Sequence, residues 1–172
     1  MWSSVGSVGV VDSSDVGKVV FLGSIAQLGV SILPPVAETS VSAPIEERFG
    51  IGIPIPKVTA TIRYPVHEAD LGNFGPSLWD LTVRYRDGNG SVTVQLIQVS
   101  VDTGVETPLI TLQSGAPFPR SNNFHDEIST GVAFGTDFLN DAYYVAVTLT
   151  GPAMILGIPP AIQLMKIGAT TQ

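Results

Sequence analysis

The sequence predicts an all-β protein, an antiparallel β-sandwich of jelly-roll type with about 8 to 10 short strands, and three observations carry that expectation. Valine, isoleucine and threonine number 21, 14 and 14, so 49 of the 172 residues are β-branched. Such side chains are stiff at χ1 and fit a pleated surface. Eighteen glycines and 13 prolines punctuate the chain as many short strands require. Apolar and polar residues alternate with period two in several stretches, whereas the best helical candidate, Pro65 to Leu71, amounts to one turn.

In the first third, Lys18 to Leu22, Ile25 to Leu33 and Val36 to Val41 read as strands, with a turn at Gly23-Ser24. Ile51 to Pro56 reads as extended chain, because alternating prolines do not sit in a paired central strand. Residues 1–56 are therefore expected as an extended, strand-containing segment that packs on the sandwich or exchanges with a neighbouring copy. Residues 57–172 are expected as the jelly-roll core of a single domain.

The core begins with the clearest alternation. Val58, Ala60, Ile62 and Tyr64 share one face of a strand, and Lys57, Thr59, Thr61 and Arg63 share the other. Leu81, Val83 and Tyr85 alternate with Thr82, Arg84 and Arg86 before Asp87-Gly88-Asn89-Gly90, a sequence that tolerates the positive φ of a hairpin turn. Ser91 to Val101 is thus expected as the antiparallel neighbour of that strand. Asp102-Thr103-Gly104 turns the chain into a strand near Thr107 to Gln113, and a long loop over Gly115 to Asp126 precedes a strand at Glu127 to Gly135. Tyr143, Val145, Val147 and Leu149 alternate with Tyr144, Ala146, Thr148 and Thr150, and Ala161 to Ile167 ends the sheet-forming sequence; both strands read as central.

Composition narrows the chemistry. The chain has no cysteine, which removes disulfides, thiolate metal sites and cysteine nucleophiles, and its two histidines, His67 and His125, cannot form a three-histidine site. A net charge of −7 with eight scattered cations argues against nucleic acid and anionic membrane surfaces. Val19 to Ala37 lacks formal charge, yet Ser24, Gln27, Ser31, two glycines and Pro34-Pro35 fit adjoining strands better than a membrane span. Asp12 and Asp15 precede the first cation, Lys18, unlike the basic start of a secretory signal, and localisation stays open among cytoplasmic, virion-like and extracellular assembly.

His125-Asp126-Glu127 is the only cluster of metal-ligating and acid–base residue types. In extended chain His125 and Glu127 share a face and Asp126 takes the other, so two ligands converge at most, short of the usual three or four. Asp87, Asn89 and Ser91 imitate the start of a calcium loop, but Val92 and Gln98 stand where glycine and a bidentate glutamate belong. No nucleophile elbow or phosphate cradle is present, so neither catalysis, metal nor cofactor is expected. Trp79, in Phe74-Gly75-Pro76-Ser77-Leu78-Trp79, is the candidate loop platform for a glycan, with His125 beside it as a second candidate ligand residue; the alternative is a ring that caps the sandwich.

Missing charge is the sharper signal. Lys166 is the only charged residue from Ala142 to Gln172, and Glu38 the only one from Val19 to Ile45. The outer faces of a sandwich normally carry charge, so Tyr144, Ala146, Met154, Ile155, Leu156, Ile158 and Met165 are expected to form an apolar surface buried against other copies. The expected partner is the chain itself, as a homo-oligomer with a trimer favoured. A monomer covered by its own N-terminal third is the competing arrangement.

Val11-Asp12, Asp15-Val16-Gly17-Lys18-Val19, Thr61-Ile62-Arg63-Tyr64, Leu81-Thr82-Val83-Arg84-Tyr85-Arg86-Asp87, Asp102-Thr103-Gly104 and Ala142-Tyr143-Tyr144-Val145 together resemble a loose group of uncharacterised bacterial β-sandwich proteins. That group is similar to the jelly rolls of trimeric fibre tips and capsid-type assemblies. The resemblance implies a structural, self-assembling subunit and brings no catalytic residue with it.

Overall fold

The computed structural model describes residues 2–29, 57–71, 74–115, 121–152 and 158–169. Strands β1 (Trp2–Val5), β2 (Val10–Val11), β3 (Val19–Leu22) and β4 (Ile25–Leu28) form the N-terminal part. Strand β5 (Lys57–Val66) and the single helical turn α1 (Glu68–Leu71) follow. Strands β6 (Phe74–Arg86), β7 (Ser91–Ser100), β8 (Glu106–Gln113), β9 (His125–Thr136), β10 (Asp141–Pro152) and β11 (Ala161–Ala169) complete the chain. Val36 to Val41 and Ile51 to Pro56 lie outside the described residues.

Two antiparallel sheets pack face to face. One runs β3-β4-β11-β6-β9, with β1 also paired to β11; the other runs β2-β5-β10-β7-β8. Because β6 pairs with β11 along its length, β1 and β4 share the opposite side of that strand. The alternation read from sequence sets the faces. Ala60, Ile62 and Tyr64 of β5, Leu81, Val83 and Tyr85 of β6, and Val145, Val147 and Leu149 of β10 are all buried between the sheets. At roughly 25 cal/mol per Å² of apolar surface, this shared interior is the main favourable term of folding. As expected, β10 and β11 are central, each paired on both sides.

One expected pairing is corrected. Asp87 to Gly90 does not close a hairpin: β6 and β7 lie in different sheets, and these residues turn the corner between them. The Asp87 carboxylate is buried and accepts the Ser121 N–H at 2.6 Å, while Gly88 and Asn89 donate to the carbonyls of Ser121 and Ile158. Gly88 adopts φ +52°, and a Cβ there would strike the Ile158 carbonyl oxygen. Long-range partners thus overrode the local turn preference. Thr61 to Tyr64 of β5 and Thr82 to Tyr85 of β6 occupy facing sheets.

Candidate functional site

The polar cluster at His125 forms on the inner side of β9. Pairing of Tyr85 with His125 and of Val83 with Glu127 sets the register, so His125 and Glu127 turn inward beside Tyr85. His125 Nε2 lies 3.3 Å from Glu127 Oε1, and its Nδ1 lies 3.2 Å from the Asn123 carbonyl oxygen. The Tyr85 and His125 rings meet at 4.5 Å. Asp126 points the other way and accepts from Arg84 at 3.0 Å.

Tyr85 Oη and Glu127 Oε2 are buried facing one another, and among the described residues neither meets a partner in full hydrogen-bonding geometry. Burial, and then the facing Glu127 carboxylate, raise the Tyr85 phenol far above its ordinary range. Tyr85 therefore stays neutral and does not supply a phenolate. The cluster joins one imidazole to one carboxylate, and among the described residues no three metal-ligating side chains converge. An inward-facing carboxylate on an edge strand also has a structural use: it deters pairing with another chain.

Trp79 is not a platform. Its segment is part of β6, and the side chain is 3% exposed, stacked on Phe134 at 5.3 Å with its indole N–H donating to the Phe134 carbonyl. The expected loop is a strand because Trp79 falls on the same inward phase as Leu81, Val83 and Tyr85. A ring closed on both sides offers no stacking surface to a sugar.

The expected apolar surface is distributed differently. Met165 is fully enclosed between the sheets of its own chain, and Ile158 is 37% exposed in the approach to β11. Met154, Ile155 and Leu156 lie outside the described residues. Tyr144 and Ala146 do occupy the outer face of the β10 sheet, half-buried. The Tyr144 hydroxyl accepts from Arg63 at 2.9 Å, and the Arg63 guanidinium also binds Asp12 and Glu106. Burial, and then Glu106, push the Tyr144 phenol up to about 12.

Around Tyr144 the outer face is polar: the Arg63 charge cluster lies at one end and paired threonines continue along the strands. Thr59 and Thr150 share a hydroxyl hydrogen bond at 3.0 Å, and Thr61 faces Thr148 at 3.5 Å. Thr93 and Gln95 continue the surface on β7. Threonine hydroxyls that bind one another across strands satisfy the stretch of this face between Thr59 and Thr150 and between Thr61 and Thr148 without charge.

Of the exposed large apolar residues, Leu78, Val101, Val105, Ile128, Leu139 and Ile158 are spread over the rest of the chain, and Val5, Val8, Val10, Val16, Val20, Phe21 and Leu22 fall in the N-terminal segment. The chain there crosses from one sheet to the other. Its 3₁₀ turn at Gly6–Val8 is tied down by the Tyr64 hydroxyl, which donates to the Gly6 carbonyl at 2.6 Å. The Asp15 carboxylate accepts both the Thr61 N–H at 2.7 Å and Lys18 Nζ at 2.8 Å. These bonds hold Asp15 below its usual carboxylate range, Lys18 being the largest cause. The missing charge from Val19 onward was the sequence signal for this flank, although its exposed strand was not singled out.

The chain matches no protein-family model and no curated protein. Among the described residues no helix is long and apolar enough to cross a membrane.

Proposed function

We propose that this protein is a structural, self-associating β-sandwich subunit of jelly-roll type, acting by assembly rather than by chemistry of its own. The observation that carries the proposal is the concentration of exposed apolar side chains in the N-terminal segment, from Val5 to Leu22, where isolated exposed residues alone would need no explanation. Strand pairing supports the jelly-roll assignment. β4 pairs with β11, β5 with β10, β6 with β9 and β7 with β8, the nested pattern of one long antiparallel ribbon folded over on itself. Self-association was first expected from the Tyr144 to Met165 region; the N-terminal flank is the better-supported surface, because Met165 is buried in its own chain.

The test is the mass in solution. Multi-angle light scattering of the full chain at micromolar concentration is expected to give a multiple of 18.1 kDa that shifts with dilution. A concentration-independent 18.1 kDa species overturns the proposal.

A further inference from the structure

Resting on that assignment of self-association, we infer that the joint is the outer edge of β3, which no described strand pairs, joined antiparallel to the same strand of a second copy across a two-fold axis. In the β3–β4 hairpin, Lys18 O accepts from Gly29 N–H at 2.6 Å, and Val20 and Leu22 occupy the same phase of the ladder. Antiparallel hydrogen bonding alternates between the two sides of a strand, so the N–H and C=O groups of Val19 and Phe21 turn away from β4. No described strand pairs with β3 on that side. Unpaired edge groups of this kind are completed by another β-strand.

The register centred on Val20 uses the outward groups of both Val19 and Phe21. With Val20 opposite Val20 of the second copy, Val19 stands opposite the other Phe21, and both pairs exchange the outward N–H···O=C bonds. The central Val20 pair is then a non-hydrogen-bonded position, where side chains approach most closely. Each Phe21 gains a β-branched cross-strand partner, a favourable combination. Val20, Phe21 and Leu22 are 40%, 41% and 53% exposed, so all three have surface to bury.

Charge favours a second copy despite the −7 carried by each chain. Asp12, Asp15 and Lys18 are the only charged residues between Trp2 and Leu28. Lys18 pairs with Asp15, and Asp12 pairs with Arg63, so the flank is locally balanced. In the two-fold register Lys18 stands opposite Leu22, and no like charges meet. Among the sheet-end strands, β8 contains Pro108, β9 carries the inward Glu127 and a bulge at Gly131, and β2 is only two residues long.

Val20→Lys and Val20→Glu test the register, because each places two like charges at the closest point of the joint. Each variant alone is expected to weaken self-association on the order of a hundredfold, by light scattering across a dilution series. Mixing the two is expected to restore the wild-type mass through a Lys–Glu pair. Circular dichroism and thermal melting separately establish that both variants fold. Wild-type assembly with unaltered mass in both variants overturns the β3 joint while leaving self-association standing. Loss of assembly without recovery on mixing overturns the two-fold register. A monomeric wild type overturns both the joint and the proposed function.

Discussion

Along the flank where β8 and β9 run, Pro108 interrupts one edge, while a bulge and the inward Glu127 blunt the other. Along β3 the edge is Val19-Val20-Phe21-Leu22, with no proline, charge or bulge. Both flanks border the same interior, so hydrophobic burial alone does not account for the difference. Edge strands are a liability that proteins ordinarily guard. Among the described residues one flank carries such guards and β3 carries none, and this asymmetry underlies the proposed joint.

The largest expected effect is on the guarded flank. Trp79→Ala empties the site stacked on Phe134 and is expected to cost about 3–5 kcal/mol in denaturant unfolding. A loss well under 1 kcal/mol in the same titration would mean that the ring does not close this end of the sandwich. On the open flank, Gly6→Ala places a methyl against the Ile162 carbonyl and the Ala26 backbone nitrogen. Overpacking there is expected to cost about 1–3 kcal/mol, and to raise hydrogen exchange in β1 and β4 more than in β8 and β9. Uniform exchange across both flanks would erase the distinction.

Glu127→Met tests the guard directly. The substitution removes an orphaned buried oxygen but also the partner of the part-exposed His125, so the melting temperature is expected to change little. Aggregation on heating should nevertheless accelerate, because β9 loses its inward charge; unchanged light scattering during the melt would deny Glu127 that role. The smallest effect concerns pH. Asp15 has a lowered folded-state pKa, so its stabilising contribution is present above the ordinary carboxylate pKa and is lost as pH falls through the lower folded value. Asp15→Asn should flatten that part of the stability profile and loosen the N-terminal segment at neutral pH, measured by unfolding at stepped pH. A profile identical to wild type would show that Asp15 is not the acid-sensitive anchor.

Much of the architecture was legible because strand alternation is local. Ile62 and Tyr64 were assigned to the buried face from spacing alone, and both are buried. His125 and Glu127 were placed on one face by the same period, and they meet at 3.3 Å. Trp79 was misplaced because Gly75-Pro76 imitates a loop, although its phase matched that of Leu81. The apolar surface was misplaced because a low charge count does not distinguish threonines bonded across strands from side chains awaiting a partner.

The sequence by itself determined the all-β class and the inward faces of the long strands, since each follows from residue type and period two. Only the tertiary structure decided which sheet received each strand. The Asp87 to Gly90 segment has the local chemistry of a hairpin, yet hydrogen bonds to Ser121 and Ile158 make it a corner. It also decided that β1 and β4 share one side of β11 and that β3 is the last of the described strands in its sheet. An edge is a property of what lies beside a strand, and those neighbours come from distant parts of the chain.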